Sequence, residues 1–448
     1  MADKTYLKGK NILFYTSIPR CFRSTLVGYF YELCQTCNVF LLSKKLDTET
    51  EILLSDKKLF PNLKEIISVD PPDNLLLQNK YFYKLAKNIV KSYNLDAIIL
   101  PSDIYPIFEL YLMRLAKRKK ILKIAVQPSY IAESKKALRW VDLTNAYARF
   151  PSFLPLFFRM FLVKLRKYFG HIVYYLVFPL FVGEPPFWGM ASFILRRGIS
   201  GMRDSDYQTV FSSREYKIHL EEGVPGGKLY ILQHPLSREK TRAFFEEAYP
   251  DEFKRNGKDG RNITMMLPEQ VGFRIKDETP ITAEERNESW VEIVRLTSQV
   301  FLGWKIYIKP HPDTKNISEI RKILESVSEN VKIVDLLESA DKYIGLAEII
   351  IGLPLSASTT LFTAFLQYPE KPILSLDFEH EIYGDLYKNF KGIEYVNSKD
   401  KFIEILKLIE QGKYKKPKIE SEKGNFKDMA ELLEYLLRKR ETSLRYAK

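Results

Sequence analysis

Short apolar runs alternate with longer stretches of helical periodicity along almost the whole chain. The runs are three to six residues long and are flanked by polar or turn-forming residues, which predicts strands. Strands that alternate with amphipathic helices indicate parallel sheets covered by helices on both faces. The predicted strands fall into two series: Asn11–Tyr15, Val39–Ser43, Glu65–Val69, Ala97–Leu100, Lys123–Gln127, Gln208–Ser212 and Lys228–Gln233, and then Asn262–Leu267, Lys305–Lys309, Lys332–Val334, Glu348–Ile351, Pro372–Leu376 and Gly392–Tyr395.

A polar break separates the two series. It contains Tyr249-Pro250-Asp251 and a run of charged residues and glycines from Lys254 to Gly260, which is typical of a linker. Two strand–helix series on either side of a linker predict two doubly wound α/β domains. We predict an organisation in four parts: a first domain over 1–240, a linker over 241–261, a second domain over 262–425, and a last helix over 426–448 that packs back on the first domain.

Length and composition exclude several classes of protein. A chain of 448 residues supports more than one hydrophobic core. With 46% hydrophobic and 13% aromatic residues, enough apolar surface is present to offset the entropy of ordering, so a disordered protein is excluded. Three cysteines are too few for a disulfide scaffold.

The net charge of +13 is confined to one part of the chain. Residues 111–200 contain sixteen Lys and Arg against three acidic residues, so the rest of the chain is neutral overall. A local basic excess indicates a local anionic partner, whereas a uniformly basic chain indicates a general affinity for nucleic acid. No base-reading module is recognisable, so we do not expect a nucleic-acid partner.

Within this basic stretch, residues 150–195 are rich in Phe, Leu, Tyr and Val. The longest apolar run, Ile172–Gly183, contains Pro179 and is too short to cross a bilayer. We predict a helical membrane-binding segment over 148–200 that lies in the interface of an anionic membrane, and the alternative is a buried helical hairpin. The predicted membrane contacts are Arg159, Lys164, Arg166, Lys167, Phe187 and Trp188.

The N-terminal residues MADKTYLKGK lead into the first predicted strand without an apolar signal segment. Together with the basic segment, this predicts a peripheral protein on the cytoplasmic face of the cell membrane.

A histidine follows the second strand of the second series. The segment reads Lys309-Pro310-His311-Pro312-Asp313, and its two prolines stiffen the exit from the strand. His311 is thereby held at the carboxyl edge of the sheet, where a ring N–H can bond a phosphate or a nucleotide. We predict that His311 and the neighbouring Lys309 bind an anionic ligand.

A second feature is a hydroxyl-rich loop before a predicted helix. Ser356-Ala357-Ser358-Thr359-Thr360 precedes the apolar helical pattern that begins at Leu361. Hydroxyl groups and unpaired backbone N–H groups at a helix start form an anion pocket. Plain capping of the helix by one hydroxyl is the alternative. In the same series, Glu269 and Gln270 follow the first strand and are further candidates for contact with the ligand.

These motifs carry a resemblance to a known family. Tyr307–Asp313, Ser356–Leu361 and Lys371–Leu374, in that order, resemble the donor domain of GT-B glycosyltransferases of bacterial surface polysaccharide synthesis. They are most similar to the branch with sialyltransferases, polysialyltransferases and capsule Kdo transferases. The segments Val210–Tyr216 and Leu232–Leu236 resemble the closing strands of a GT-B first domain.

The resemblance implies a GT-B fold, with two Rossmann-like domains that face a cleft, and a nucleotide-sugar donor with no further cofactor. It nominates four residues for the donor's phosphate and ribose: His311, Ser356, Ser358 and Thr359. One departure matters: where many GT-B enzymes place a ribose-binding glutamate, this chain reads Phe362-Thr363-Ala364. The best expectation for the donor is a CMP-activated 2-keto sugar such as Kdo or a nonulosonate.

Inverting transfer needs a base that takes the proton of the acceptor hydroxyl. Asp103 and Glu133 follow predicted strands of the first domain and are the candidates; capping of a helix by Asp103 and an ion pair between Glu133 and its neighbouring lysines are the alternatives. Arg20 and Arg23 follow the first strand and suit an anionic acceptor, such as a lipid diphosphate; the alternative is that they are solvated or structural arginines. No Asp-x-Asp motif stands at a strand end, so we expect no metal.

Three other functions stay open at this point. The first two are a CDP-glycerol phosphotransferase and a transferase that uses a UDP-sugar. The third is a membrane scaffold that keeps the fold without activity. The chain lacks the acidic and glycine-rich signatures of the related UDP-sugar 2-epimerases, so sugar transfer is favoured over epimerisation.

Overall fold

The computed structural model divides the chain into two compact units. One comprises Met1–Tyr130, Pro155–Phe244 and Glu422–Lys448, and the other Ile131–Leu154 and Phe245–Ser421. The structure describes residues 6–16, 22–44, 46, 48–102, 107–128, 146, 150–151, 153–163, 180–181, 204–249, 261–267, 281–311, 314, 316–336, 338–353, 359–378, 390, 392–416 and 424–446.

The first unit contains a sheet of seven parallel strands in the order β3-β2-β1-β4-β5-β6-β7. The strands are β1 (Asn11–Thr16), β2 (Asn38–Ser43), β3 (Leu63–Ser68), β4 (Ala97–Leu100), β5 (Leu122–Ala125), β6 (Tyr207–Val210) and β7 (Leu229–Ile231). The described helices between them are α1 (Val27–Cys34), α2 (Thr48–Ser55), α3 (Leu75–Ser92), α4 (Ile107–Arg118) and α5 (Ser213–Glu221). A π-helical turn, Phe22–Leu26, precedes α1.

The second unit contains six parallel strands in the order β10-β9-β8-β11-β12-β13. They are β8 (Asn262–Met266), β9 (Lys305–Lys309), β10 (Val331–Ile333), β11 (Ile349–Gly352), β12 (Ile373–Leu376) and β13 (Glu394–Val396). Helix α6 (Glu239–Ala248) precedes the sheet, and the helices described within the unit are α7 (Ala283–Val300), α8 (Ile317–Glu325), α9 (Ala340–Leu346), α10 (Thr359–Gln367) and α11 (Lys399–Glu410).

Burial explains why these segments form central strands. All four residues of β4 are fully buried, and so are the residues of β11. Strands covered by helices on both faces read as continuous apolar runs rather than as alternating patterns. The prediction of two doubly wound parallel sheets is confirmed, and each predicted strand overlaps an observed strand whose ends differ by two residues at most.

The segment between the two strand series differs from the linker that we predicted. Residues 239–248 form helix α6, and the two compact units divide within it, between Phe244 and Phe245. Thr241, Phe244 and Phe245 are buried, at the spacing of one helix face. Residues 250–260 lie outside the described part of the chain.

The last described helix, α12 (Met429–Tyr446), belongs to the first unit. The backbone N–H of Met429 donates to Glu32 Oε2 of α1 at 2.9 Å. The other carboxylate oxygen of Glu32 accepts from Thr241 Oγ1 at 2.5 Å, and Arg238 Nη1 lies 3.1 Å from Glu32 Oε2. The buried carboxylate of Glu32 thus binds both α6, in which the chain leaves the first unit, and α12, which follows the point where the chain re-enters that unit.

His234 lies beside this cluster, and each of its two ring nitrogens has a hydrogen-bond partner within the protein. Its Nδ1 accepts from the backbone N–H of Leu236 at 3.2 Å, so the ring proton is on Nε2, which lies 3.3 Å from Thr25 Oγ1. Burial, with a smaller effect of the Arg238 charge, lowers the pKa of His234 to about 3. The imidazole is therefore neutral in the folded protein.

We expect this histidine to make the protein less stable in acid. The pKa of His234 is about 3 in the folded protein, against about 6.5 in an unfolded chain. The unfolded state therefore binds the extra proton first, and stability falls as the pH drops from 6.5 towards 3. Between pH 7.5 and pH 5 the loss should be about 2 kcal/mol, measured by urea unfolding.

The control for this prediction is His234→Asn, which keeps an acceptor for the N–H of Leu236 but does not titrate. Its unfolding free energy should change less over the same pH interval, by about the 2 kcal/mol assigned to the imidazole. Equal pH dependence in the two proteins would remove His234 as the cause.

The predicted membrane segment is described only in part. Residues 156–163 and 180–181 are helical, whereas Lys164, Arg166, Lys167, Phe187 and Trp188 lie outside the described residues. Arg159 is only 6% exposed and shares the inner face of its helix with Val163, so the prediction that Arg159 contacts the membrane is wrong. Among the helices that the structure describes, none has the length and apolar character needed to cross a bilayer.

Candidate functional site

The carboxyl edge of the second sheet gathers the segments predicted to bind the donor. The strand order reverses between β8 and β11, and β9 and β12 flank this pair. In open parallel sheets, ligands bind in the crevice at such a switch point. His311 follows β9 and helix α10 follows β11, so the topology directs both to one edge. Glu269 and Gln270 lie outside the described residues.

A glycine lets helix α10 approach this edge closely. A Cβ atom on Gly352, the last residue of β11, would lie 2.6 Å from Leu361 Cδ1 of α10. A larger residue at this position would require the Leu361 side chain to shift. The helix begins at Thr359 and presents its first backbone N–H groups there, with Thr360 half-buried in the first turn. The other predicted hydroxyl groups lie outside the described residues: Ser356, Ser358 and the side chain of Thr359.

His311 stands where the chain leaves β9. Its carbonyl oxygen accepts from the N–H of Thr314 at 2.9 Å, which closes a tight turn before α8. The imidazole is half-buried. His311 follows β9, which is separated from the switch point by β8. Helix α10 follows β11, on the other side of the switch point. An anionic ligand over the switch point would therefore lie between His311 and the start of α10.

Lys309 has a different role from the one predicted. The buried ammonium donates to the carbonyl oxygens of Pro310, Asp335 and Leu336 at 2.9, 3.3 and 3.0 Å. An ammonium has three N–H donors, and all three are used within the protein. Burial lowers the pKa of Lys309, while the charges of Asp335 and Glu338 oppose this shift. Lys309 ties the loop after β10 to the end of β9 and offers no spare donor to a ligand.

Asp377 is a further candidate site residue at this edge, and no motif in the sequence indicates it. It directly follows β12 and is 8% exposed. Its neighbours Leu376 and Phe378 belong to the core below α7 and α8. Because side chains alternate along a strand, Asp377 lies on the other face of the sheet, which carries α10. Ser375 pairs with Gly352, so Asp377 lies next to the place where the chain leaves β11.

The carboxylate of Asp377 is held from the neighbouring strand. The hydroxyl group of Tyr395 donates to Asp377 Oδ2 at 2.9 Å, and the backbone N–H of Asp377 donates to the carbonyl oxygen of Val396 at 2.9 Å. His311 and Asp377 follow strands three positions apart, hence roughly 14 Å from each other along the edge. The edge therefore offers an imidazole, a helix start and a carboxylate in a row.

The residues predicted for acceptor binding and proton transfer follow strands of the first sheet. Its switch point lies between β1 and β4. Arg20 comes just after β1, Asp103 just after β4, and Glu133 after β5. Arg20, Asp103, Glu133 and the side chain of Arg23 lie outside the described residues, so their roles stay predictions.

Helix α4, which follows β4, carries a buried acid, Glu109. It is 1% exposed, and its charge adds to burial in raising the pKa of Tyr15. Glu109 occupies the buried stripe of α4 together with Leu112, Met113 and Ala116, at the spacing of one helix face. An acidic residue on the apolar stripe of a predicted helix is the sequence feature that indicates such a buried carboxylate.

Within the described ranges, no group of three or more His, Cys, Asp or Glu side chains could hold a metal ion. The expectation of a metal-independent reaction without a cofactor stays a prediction.

Comparison with solved structures decides the fold. The UDP-GlcNAc 2-epimerase of Methanocaldococcus jannaschii matches with a TM-score of 0.54 at 14% identity, over 96% of this chain and 99% of the epimerase. The enzyme of Neisseria meningitidis bound to UDP-GlcNAc matches with a TM-score of 0.51 at 12% identity, over 90% and 92%. The glycotransferase of kitacinnamycin matches with a TM-score of 0.50 at 10% identity, over 98% and 99%.

The chain has a GT-B fold. No protein-family model and no curated protein matches it. The three GT-B structures are two UDP-GlcNAc 2-epimerases and a glycotransferase. They confirm the predicted fold but give no support to the narrower prediction of a sialyltransferase or Kdo transferase branch.

Proposed function

We propose that this GT-B protein is a glycosyltransferase that takes its sugar from a UDP-sugar. The observation that carries the proposal is the row of His311, the start of α10 and Asp377 along the carboxyl edge of the second sheet. The likeness to a structure bound to UDP-GlcNAc favours UDP over CMP as the nucleotide. This replaces the CMP-activated 2-keto sugar that we expected from the sequence.

In the proposed donor complex, the diphosphate lies at the start of α10. Backbone N–H groups and the helix dipole favour negative charge there, and an N–H of His311 approaches the phosphate from the β9 side. Asp377 accepts hydrogen bonds from hydroxyl groups of the ribose or the sugar, as carboxylates do in sugar sites. Asp377 would then supply the carboxylate that the segment Phe362-Thr363-Ala364 lacks.

In the proposed reaction, the acceptor hydroxyl attacks the anomeric carbon while the bond from that carbon to the UDP oxygen breaks. The proton of the hydroxyl passes to a carboxylate that follows a strand of the first sheet, for which Asp103 and Glu133 are the candidates. The charge that develops on the leaving UDP is stabilised by the start of α10 and by His311. Attack from the face opposite UDP inverts the anomeric configuration.

We propose a lipid-linked or polysaccharide acceptor, bound by Arg20 and Arg23, at the cytoplasmic face of the membrane. The support is the basic, aromatic stretch within residues 111–200. The alternative of a phosphotransferase with CDP-glycerol as its donor has no specific support beyond the sequence resemblance.

A nucleotide screen tests the choice of donor. Thermal shift should respond to UDP and UDP-GlcNAc, and CMP, CDP and GDP should give smaller shifts. A response to CMP alone would return the choice to the 2-keto sugar, and no response to any nucleotide would favour a scaffold without activity. Chromatography of UDP-GlcNAc incubated with the protein alone separates transfer from epimerisation, since only an epimerase converts the sugar without an acceptor.

Replacing His311 by alanine should weaken UDP binding about tenfold, because one hydrogen bond to a charged phosphate is lost. Titration calorimetry with UDP measures the change. His311→Asn keeps an N–H donor and should retain part of the affinity. Unchanged affinity in His311→Ala would contradict the proposed donor site.

A further inference from the structure

The helix over residues 156–163 exposes three phenylalanine side chains to solvent. Phe157 is 76% exposed, Phe161 54% and Phe158 40%, whereas Arg159 is 6% exposed and Val163 7%. A surface helix normally buries its apolar stripe and exposes its charges. Here the one described basic residue of the helix is inside and three phenylalanines are outside, which is the reverse of that arrangement.

The exposed phenylalanines form one continuous surface, which we call the aromatic face. Phe157 and Phe161 are four residues apart and lie one above the other on the helix. The rings of Phe158 and Phe161 are stacked, with centroids 6.3 Å apart. Three phenylalanines exposed to this degree present on the order of 300 Å² of apolar surface. The largest apolar patch on a monomeric protein has about this size and is often a binding surface for a protein or a membrane.

The charge of the surrounding sequence decides between these two partners. Residues 111–200 carry the whole net charge of the chain, with sixteen Lys and Arg against three acidic residues. The described part of this stretch includes four consecutive exposed basic residues, Lys117, Arg118, Lys119 and Lys120. Aromatic side chains combined with excess positive charge fit an anionic lipid interface, where rings enter the acyl boundary and cations meet the headgroups.

We propose that the aromatic face of Phe157, Phe158 and Phe161 inserts into the surface of an anionic bilayer. The contact differs from the one predicted from the sequence, since Arg159 lies on the inner face of this helix and cannot reach a headgroup from there. The proposal goes beyond the proposed transfer reaction and does not depend on it, because the residues named here are remote in sequence from the donor site.

Vesicle binding of the full chain tests the proposal. The wild-type protein should sediment with vesicles of phosphatidylcholine and phosphatidylglycerol, and much less with phosphatidylcholine alone. The double variant Phe157→Ser with Phe161→Ser should lose at least about tenfold in partitioning to the anionic vesicles. Added salt should weaken binding of the wild type, because the headgroup attraction is screened.

The matched control is Leu77→Ser on α3. Leu77 is 55% exposed and belongs to the same unit, so it tests the loss of any exposed apolar residue. This variant should bind vesicles as the wild type does. Circular dichroism verifies that all variants fold, and a UDP thermal shift that is unchanged in the double variant separates this proposal from the donor site.

Three results would overturn the proposal. They are equal vesicle binding of the wild type and the double variant, equal binding of the wild type to neutral and anionic vesicles, and an oligomer in light scattering that becomes monomeric in the double variant. The last result would assign the aromatic face to contact between two copies of the chain.

Discussion

Replacing Glu32 by alanine should lower the free energy of unfolding by about 3–5 kcal/mol, because a buried ion pair would lose one partner. Glu32 is 7% exposed and Arg238 is also 7% exposed. Burial raises the pKa of Glu32, and the Arg238 charge offsets part of this effect. The structure describes one other close contact of the Arg238 guanidinium, with the face of the Tyr29 ring 5.1 Å away. Of these described contacts, that one alone would remain without the carboxylate.

The loss should be concentrated where Glu32 joins separate parts of the chain. Its two oxygens hold Thr241 of α6 and the first N–H group of α12. The variant should therefore speed amide hydrogen exchange in the first turns of α12 more than in the strands of the second sheet. This pattern distinguishes the loss of a specific clamp from a general loss of stability.

Urea unfolding followed by circular dichroism measures the stability change. Glu32→Gln keeps the shape and part of the hydrogen bonding, so it should cost less than alanine. Glu292→Ala is the control, since Glu292 pairs with Lys399 at 2.6 Å on the surface and such pairs contribute about 0–1 kcal/mol. If Glu32→Ala and Glu292→Ala shift the urea midpoint equally, the buried cluster does not stabilise the protein as we infer.

The strands could be predicted from the sequence because a strand that is buried on both faces is a continuous run of apolar residues. Ala97–Leu100 and Lys305–Lys309 were predicted with the bounds that the structure has. Helix α6 was hidden in a polar segment, although Thr241, Phe244 and Phe245 have helical spacing. Its charged residues outnumber its apolar ones, so composition suggested a linker. The strand order was not accessible, because it depends on pairing between distant segments.

The candidate site was predictable where a side chain's role follows from its place in the chain. The exit from β9 and the start of α10 lie at the same edge of the second sheet, since the carboxyl ends of parallel strands always share an edge. Lys309 was assigned to the ligand because its partners, carbonyl groups 26 and 27 residues further along, leave no pattern in the sequence. Arg159 was misplaced because the side of a helix that packs inward cannot be read from a segment that is apolar on every side.

The role of Asp377 also could not be predicted from the sequence, because it depends on contacts between distant segments. Asp377 follows a predicted strand, but the sequence contains no motif around it, and its significance comes from Tyr395 on the next strand and from α10 on the same face of the sheet. Both neighbours depend on the register of strands that are distant in the chain.

Replacing Asp377 by asparagine should weaken UDP-sugar binding about a hundredfold. The expected loss exceeds that for His311, because a carboxylate that accepts from two hydroxyl groups makes two charge-assisted hydrogen bonds. Asparagine has nearly the same shape, so the change removes the charge and one acceptor while the fold is kept. Titration calorimetry with UDP-GlcNAc and with UDP measures the loss.

The comparison of the two ligands assigns the hydroxyl groups that Asp377 binds. If they belong to the sugar, only UDP-GlcNAc should lose affinity, and if they belong to the ribose, both ligands should. Tyr395→Phe removes the hydroxyl that holds Asp377 Oδ2 at 2.9 Å and should give a smaller loss of the same kind, which identifies Tyr395 as a positioning residue. Asp400→Asn, an exposed acid in the first turn of α11, is the matched control and should change neither affinity. Unaltered binding of both ligands in Asp377→Asn would exclude this carboxylate from the donor site and leave the edge with His311 and the helix start alone, an arrangement that binds phosphate but cannot select a sugar.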